Sequence, residues 1–131
     1  DCTRRPLPLY AAEGRLESVP NALEQAKQAA AAICGTTPPA AEVPWFWSDQ
    51  YEVKLQIAGL PLGADRLVLR GDPDQNRFAV FHLKGDRIVC VEAANAPPEF
   101  MAGKQLIGKL TAVDPDKLAD PAVSMKAVAA A

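Results

Sequence analysis

The stretch RFAVFHLKGDRIVCVEAAN, from Arg77 to Asn95, decides the fold. Two runs rich in apolar residues flank Gly85 and Asp86, a pair typical of a two-residue β-hairpin turn. Alternation of apolar and polar residues predicts strands with one buried face. Because the connection is so short, the two strands are expected to pair in the antiparallel sense.

Two more strands are predicted before this hairpin. Val53, Leu55 and Ile57 alternate with polar residues, and the run DRLVLRG covers residues 65–71. Arg66 and Arg70 share one face of that second strand, which we interpret as a solvated sheet face. After the hairpin, the stretch NAPPEFMAGKQLIGKL, residues 95–110, has a helical pattern. We expect Asn95 as its cap, and its apolar side is predicted to hold Phe100, Met101, Leu106 and Ile107.

The most regular helical pattern lies in the first third of the chain. Ser18 is a natural N-cap, Pro20 fits only a first turn, and Gly35 ends the helix. The apolar face is predicted to comprise Val19, Ala22, Leu23, Ala26, Ala30 and Ile33, with Glu24, Lys27 and Gln28 on the solvated face. Residues 1–16 are interpreted as irregular loop and 36–44, TTPPAAEVP, as a linker. The predicted fold class is therefore α+β, with an antiparallel sheet of about four to five strands, flanking helices and one preceding helix.

Bulk composition excludes several classes of protein. A net charge of -2 favours neither nucleic acid nor an anionic membrane, and no apolar run could span a bilayer. Three cysteines far apart fit reduced thiols in the cytosol better than disulfides. The sole histidine, His82, has no ligand at metal spacing, so we expect no metal site. The chain lacks an initiating Met and is interpreted as a piece of a longer protein.

The stretch VPWFWSDQY, residues 43–51, concentrates aromatic side chains. Trp45, Phe46, Trp47 and Tyr51 lie within it, and both tryptophans of the chain are among them. One interpretation is a hydrophobic plug at a corner of the domain. The other is a wall for a flat ligand. Spacing alone favours the plug.

Three long stretches resemble one enzyme family. DCTRRPLPLYAAEGRLESVPNALEQAK, PWFWSDQYEVKLQIAGL and RLVLRGDPDQNRFAVFHLKGDRIVCVEAANAPPEF look like the C-terminal part of FAD-dependent, NAD(P)H-oxidising ferredoxin reductases. These are the enzymes of the putidaredoxin-reductase and rhodocoxin-reductase type, which supply electrons to oxygenases. The resemblance implies that residues 1–35 are the end of an FAD-binding domain, 36–44 a linker and 45–131 the reductase C-terminal domain. The preceding helix would then be one detached from the parent's FAD domain.

The resemblance also implies roles for individual residues. Asp1 matches the residue that holds the ribityl chain of FAD, Val19 the one whose backbone meets the pyrimidine end, and Trp47 an aromatic beside the isoalloxazine. A helix N-terminus at Val19 suits the negative charge of a reduced flavin. Lys27, Lys126 and Trp45 match positions near the docked 2Fe–2S ferredoxin.

The implied parent is a cytoplasmic enzyme with FAD as cofactor and NADH as substrate. Its glycine-rich nucleotide loops would precede Asp1, so we expect no catalytic residue, no tight FAD binding and no activity in this piece. Two other readings stay open. The chain could be a stand-alone protein-binding or dimerisation module without redox chemistry, or a purely structural interface domain.

Overall fold

The computed structural model describes residues 1–129 of the chain. In chain order its elements are strand β1 (Arg5–Leu7), a 3-10 turn (Pro8–Tyr10), β2 (Ala12–Gly14), helix α1 (Val19–Cys34), β3 (Trp45–Gln50), β4 (Val53–Gly59), β5 (Arg66–Asp72), a second 3-10 turn (Pro73–Gln75), β6 (Arg77–Lys84), β7 (Arg87–Ala94), α2 (Pro97–Gly108) and α3 (Pro115–Ala119). No helix within this part of the chain is long and apolar enough to cross a membrane.

Five of the strands form one antiparallel sheet in the order β3-β4-β7-β6-β5. The predicted fold class is thereby confirmed, as is the hairpin turn, across which Lys84 pairs with Arg87. Helix α2 covers one face of the sheet, where Phe81 and Val91 are fully buried beside Phe100. At Gly103 a Cβ atom would lie 2.7 Å from the Val91 side chain, so only glycine allows α2 to approach β7 this closely.

The start of α2 differs from the prediction. Its N-cap is Ala96, which makes no side-chain capping bond. Asn95 instead joins two strand ends, since its Oδ1 accepts from the Lys54 N–H at 2.9 Å and its Nδ2 donates to the Asn76 carbonyl at 3.0 Å. Met101, expected on the apolar side, is exposed. The predicted cap and this part of the predicted apolar side are therefore wrong.

Arg70 is not on a solvated sheet face. Its side chain is only 5% exposed, and its Nη1 donates to the carbonyls of Leu118 and Asp120 at 3.2 and 2.6 Å. Its Nη2 donates to the Val123 carbonyl at 2.7 Å, and its Nε lies 3.3 Å from Glu99 Oε1. The guanidinium has more donors than any other side chain, which suits it to a cluster of carbonyls. Arg70 therefore fastens the segment after α3 to the sheet.

The N-terminal segment also departs from the prediction of irregular loop. Strands β1 and β2 pair in the antiparallel sense as a small second sheet. Tyr10 connects this hairpin to the main sheet, because its hydroxyl donates to the Val89 carbonyl and accepts from the Leu60 N–H, both at 2.9 Å. The anchor lies far away in sequence, so the local pattern gave no sign of it.

Replacing Tyr10 with phenylalanine should cost about 0.5–1.5 kcal/mol of unfolding free energy, because the two hydrogen bonds of the hydroxyl are lost while the Leu60 N–H still donates to the Val89 carbonyl at 3.1 Å. Burial raises the pKa of Tyr10 from 10.0 to about 12. The folded state therefore keeps a proton that the unfolded state releases above pH 10, and stability from this group is lost as pH rises from 10 toward 12.

Urea unfolding near neutral pH and at alkaline pH tests this expectation. Tyr10→Phe should lose less stability between the two conditions than the unmodified chain does. Cys90, whose thiol pKa is also raised to about 12, contributes alkaline loss in both proteins. The exposed Tyr51 offers the matched control, and Tyr51→Phe should leave both values unchanged. Equal alkaline losses in all three proteins would argue against the Tyr10 anchor.

Helix α1 begins and ends where the sequence predicts, but the face that it turns toward the rest of the chain is not the predicted apolar one. Ser18 caps it, and Gly35 ends it with a φ of 66°. However, the helix packs through its polar side, where Glu24 lies 2.7 Å from Arg5 Nη2 and Asn21 Oδ1 accepts from Arg5 Nη1 at 3.0 Å. The predicted solvated face is thus wrong for Glu24.

The predicted apolar face of α1 is turned outward. Val19, Leu23 and Ile33 are all exposed, Ile33 at 87%. Apolar side chains at helical spacing normally face a core. Nothing among residues 1–129 covers this side of α1.

The segment 36–44 has no regular secondary structure, as its composition predicts. Val43 is nevertheless buried in the main core, and Glu42 Oε2 lies 3.3 Å from Lys104 Nζ on α2. The connection is therefore held against the sheet domain at its second half.

Candidate functional site

The aromatic wall, as we call Trp45 and Trp47, is built on the edge strand β3. Alternate residues of a strand share a face, and the two indole rings stack with centroids 5.4 Å apart and planes inclined by 29°. Trp45 packs against the core and lies 6.0 Å from the Phe100 ring. Trp47 is 40% exposed. The wall thus has one anchored ring and one ring available to a flat ligand.

Two charged residues hold Trp45 from the helix side. Lys104 Nζ lies 5.1 Å from the centroid of its ring, within the range of a cation–π interaction, and Glu42 pairs with the same ammonium group. Sequence reasoning missed both residues. Lys104 stands four positions after Phe100 and so shares its face of α2, which was a usable indication.

The N-terminus of α1 offers one free backbone donor. Ser18 Oγ accepts from the Asn21 N–H at 3.3 Å, and Pro20 has no N–H to donate. Within the described part of the chain, the N–H of Val19 has no hydrogen-bond partner. The positive end of the helix dipole therefore coincides with an available donor at an exposed residue.

A cavity of about 310 Å³ lies between this helix start and the sheet. Ser18, Trp45 and Phe46 line it, together with Cys90 and Glu92 from β7. Burial, together with the negative charge of Glu92, raises the pKa of the Cys90 thiol to about 12. This thiol is accordingly protonated near neutral pH.

The residues predicted for cofactor and partner contact are only partly brought together. Lys27 and Trp45 line one hollow of about 250 Å³. Asp1 and Lys126 are exposed. Within residues 1–129, no hydrogen bond or ion pair joins either of them to another predicted site residue.

Comparison with known proteins shows the family of the chain. Residues 45–129 match the family described as Reductase C-terminal. The chain belongs to this reductase C-terminal family. The resemblance inferred from the sequence is thereby confirmed.

Relatives of this reductase C-terminal chain are named as ferredoxin reductases. It is 54% identical to the probable ferredoxin reductase CtmF of Castellaniella defragrans, a match that covers 98% of the chain and 32% of the relative. Identity to putidaredoxin reductase CamA of Pseudomonas putida is 47%, over 100% of the chain and 31% of the relative. The chain spans about a third of the length of these relatives.

A solved structure with the same fold is that of a covalent putidaredoxin reductase–putidaredoxin complex. The superposition has a TM-score of 0.91 at 47% identity and covers 98% of this chain and 31% of the solved one. Because the match extends across nearly all of the chain, it includes the N-terminal hairpin and α1 as well as the family region.

Proposed function

We propose that this chain is the C-terminal region of a flavoprotein that passes electrons from NADH through FAD to a 2Fe–2S ferredoxin serving an oxygenase. The observation that carries the proposal is the outward apolar face of α1. A face of this kind needs a partner, and the relatives are about three times as long as the chain. Three unpaired cysteines support a cytoplasmic location.

We assign residues 1–35 to the end of the FAD-binding domain, 36–44 to a linker and 45–131 to the reductase C-terminal domain. The polar contacts of α1 with Arg5 support the first assignment, because they join the helix to the N-terminal hairpin and leave its apolar side for the rest of the FAD domain. In this arrangement, the β-sheet domain is fastened beside the flavin rather than being part of its fold.

The residues present suit an FAD isoalloxazine. FAD, when bound, would accept the hydride of NADH and release single electrons to the ferredoxin. The Val19 N–H would donate to the pyrimidine end, where a reduced flavin is negative, and the helix dipole would stabilise that charge. Trp47 would cover the flavin edge with a flat apolar ring and exclude water. Asp1 would accept from the ribityl hydroxyls.

The test of this function is an assay of the full-length protein that contains the chain. We expect it to purify with a flavin absorption spectrum and to reduce a 2Fe–2S ferredoxin at the expense of NADH. The 131-residue chain alone should do neither. A full-length protein without flavin would favour the alternative of a protein-binding or dimerisation module without redox chemistry.

Lys27 and Lys126 are proposed to meet an acidic ferredoxin together with Trp45. In the full-length enzyme, Lys27→Glu and Lys126→Glu should each raise KM for ferredoxin severalfold at low salt and leave kcat nearly unchanged, since rim charges act mainly on association. Lys84→Glu makes the same charge change on β6, well away from β3 in the sheet order, and should have little effect. Equal effects of all three variants would contradict a local docking role.

A further inference from the structure

Three potential metal ligands meet on the sheet face opposite α2. They are His82 on β6 and Cys90 and Glu92 on β7, and one ligand atom from each lies within 4.8 Å of the other two. His82 Nε2 lies 3.7 Å from Glu92 Oε1. The sequence alone offered His82 no partner at metal spacing, because the pairing of the strands creates the cluster.

A β-bulge is what brings these side chains to the same face. From the turn, Lys84 pairs with Arg87 and Leu83 with Ile88, so a regular ladder would place Val89 opposite His82. The irregularity between His82 and Leu83 places Cys90 there instead. Since successive residues of a strand point to opposite faces, a regular ladder would turn Cys90 toward α2. Bulges commonly re-aim side chains beside functional sites.

The cluster contains one buried polar atom, His82 Nε2, that has no hydrogen-bond partner among the described residues. The Cys90 side chain is fully buried, whereas that of Glu92 is 42% exposed. A buried ring nitrogen without a partner is destabilising. A bound cation would satisfy this nitrogen.

We propose that His82, Cys90 and Glu92 bind one divalent cation of intermediate softness, for which Zn²⁺ fits best. One imidazole nitrogen, one thiolate and one carboxylate form a ligand set that suits tetrahedral Zn²⁺ with an open fourth position. Cys90 and Glu92 line the cavity of about 310 Å³, which gives an ion a path of entry and room for a water molecule as fourth ligand. This site does not depend on the flavin.

Titration with Co²⁺ alone, followed by displacement with Zn²⁺, tests the site. The starting protein is the 131-residue chain with the two exposed thiols removed, Cys2→Ser and Cys34→Ser. We expect one equivalent of Co²⁺ to give thiolate-to-cobalt charge-transfer absorption and the visible bands of a tetrahedral site. In this background, Cys90→Ser should abolish the charge-transfer absorption. His82→Gln and Glu92→Gln should each weaken Co²⁺ binding at least about 100-fold, the upper end of what loss of a supporting residue costs.

Glu92 is partly exposed, so Glu92→Gln is the variant expected to disturb folding least. Far-UV circular dichroism checks that each variant keeps its secondary structure. Glu52→Gln removes an exposed carboxylate elsewhere and should leave Co²⁺ affinity unchanged. The proposal is overturned if Co²⁺ produces no thiolate absorption in the starting protein. It is equally overturned if folded Glu92→Gln and Cys90→Ser bind Co²⁺ as tightly as the starting protein.

Discussion

Replacing Arg70 with alanine should lower the unfolding free energy of the chain by about 3–5 kcal/mol, the range for removing one partner of a buried charged network. Its guanidinium donates to the carbonyls of Leu118, Asp120 and Val123 and pairs with Glu99. Without it, those carbonyls lose their buried donor and the segment after α3 loses its attachment to β5. Urea unfolding of the 131-residue chain measures the change as a shift in midpoint.

Arg66 provides a matched control on the same face of the same strand. Its side chain is exposed, so Arg66→Ala should change stability by no more than about 0.5 kcal/mol. Arg70→Lys should recover little, because an ammonium group cannot serve carbonyls in several directions as a planar guanidinium does. Similar losses for Arg66→Ala and Arg70→Ala would show that Arg70 does not hold the C-terminal segment.

Replacing Leu23 with aspartate should have little effect on the 131-residue chain and should strongly destabilise the full-length enzyme. In the 131-residue chain Leu23 is exposed, and the change should stay within about 0.5 kcal/mol. In the full-length enzyme we expect it to be covered by the FAD domain. There the same change would remove an apolar contact and bury an unpaired carboxylate, at a cost of at least about 3 kcal/mol.

Thermal unfolding of both proteins, together with the flavin content of the full-length enzyme, checks this second expectation. The full-length Leu23→Asp variant should also lose FAD during purification, because α1 would no longer be seated beside it. If Leu23→Asp were as harmless in the full-length enzyme as in the chain, the outward face of α1 would not be a domain contact.

Most strands of the sheet could be predicted because the alternation of apolar and polar residues that indicates a strand lies within a short stretch of sequence. β6 was expected as RFAVFHLK, and the structure gives Arg77–Lys84. β3 was missed as a strand because aromatic residues stand on both of its faces. Phe46 is 43% exposed and Trp47 is 40% exposed, so the alternation of buried and solvated positions is absent.

The ends of α1 were predictable and its orientation was not. Ser18 and Gly35 fix the ends through capping and a left-handed backbone, both of which depend on the residue itself. Which face turns inward depends on partners. Arg5 gives Glu24 and Asn21 a partly buried hydrogen-bond partner, while the apolar face has none within the described chain.

The candidate site shows the same division between local and distant information. The clustering of Trp45 and Trp47 is visible in the sequence, whereas the Glu42–Lys104 pair that holds Trp45 joins residues far apart along the chain. Likewise, His82 meets Cys90 only because a bulge shifts the register of the hairpin. The positions of such irregularities are set by packing of the whole sheet, which no short pattern encodes.

We propose that Trp47 borders the flavin on the side where the ferredoxin docks. This proposal is tested most directly by stopped-flow measurement of both half-reactions in full-length Trp47→Ala, with Trp47→Phe and Phe46→Ala alongside. Phe46 lies next to Trp47 on the other face of β3 and is similarly exposed. In Trp47→Ala, the rate of FAD reduction by NADH should be unchanged, because the hydride would reach the flavin from the bound nicotinamide, whereas Trp47 is proposed to lie on the ferredoxin side.

Electron transfer to the ferredoxin in the same Trp47→Ala protein should fall at least about tenfold, since small losses of positioning are costly in rate. Trp47→Phe should restore most of that rate, because a flat apolar ring is what the site requires. Phe46→Ala should leave both half-reactions near their original rates. Equal losses of both half-reactions in Trp47→Ala would contradict the claim and indicate that Trp47 serves only to pack the corner of the domain.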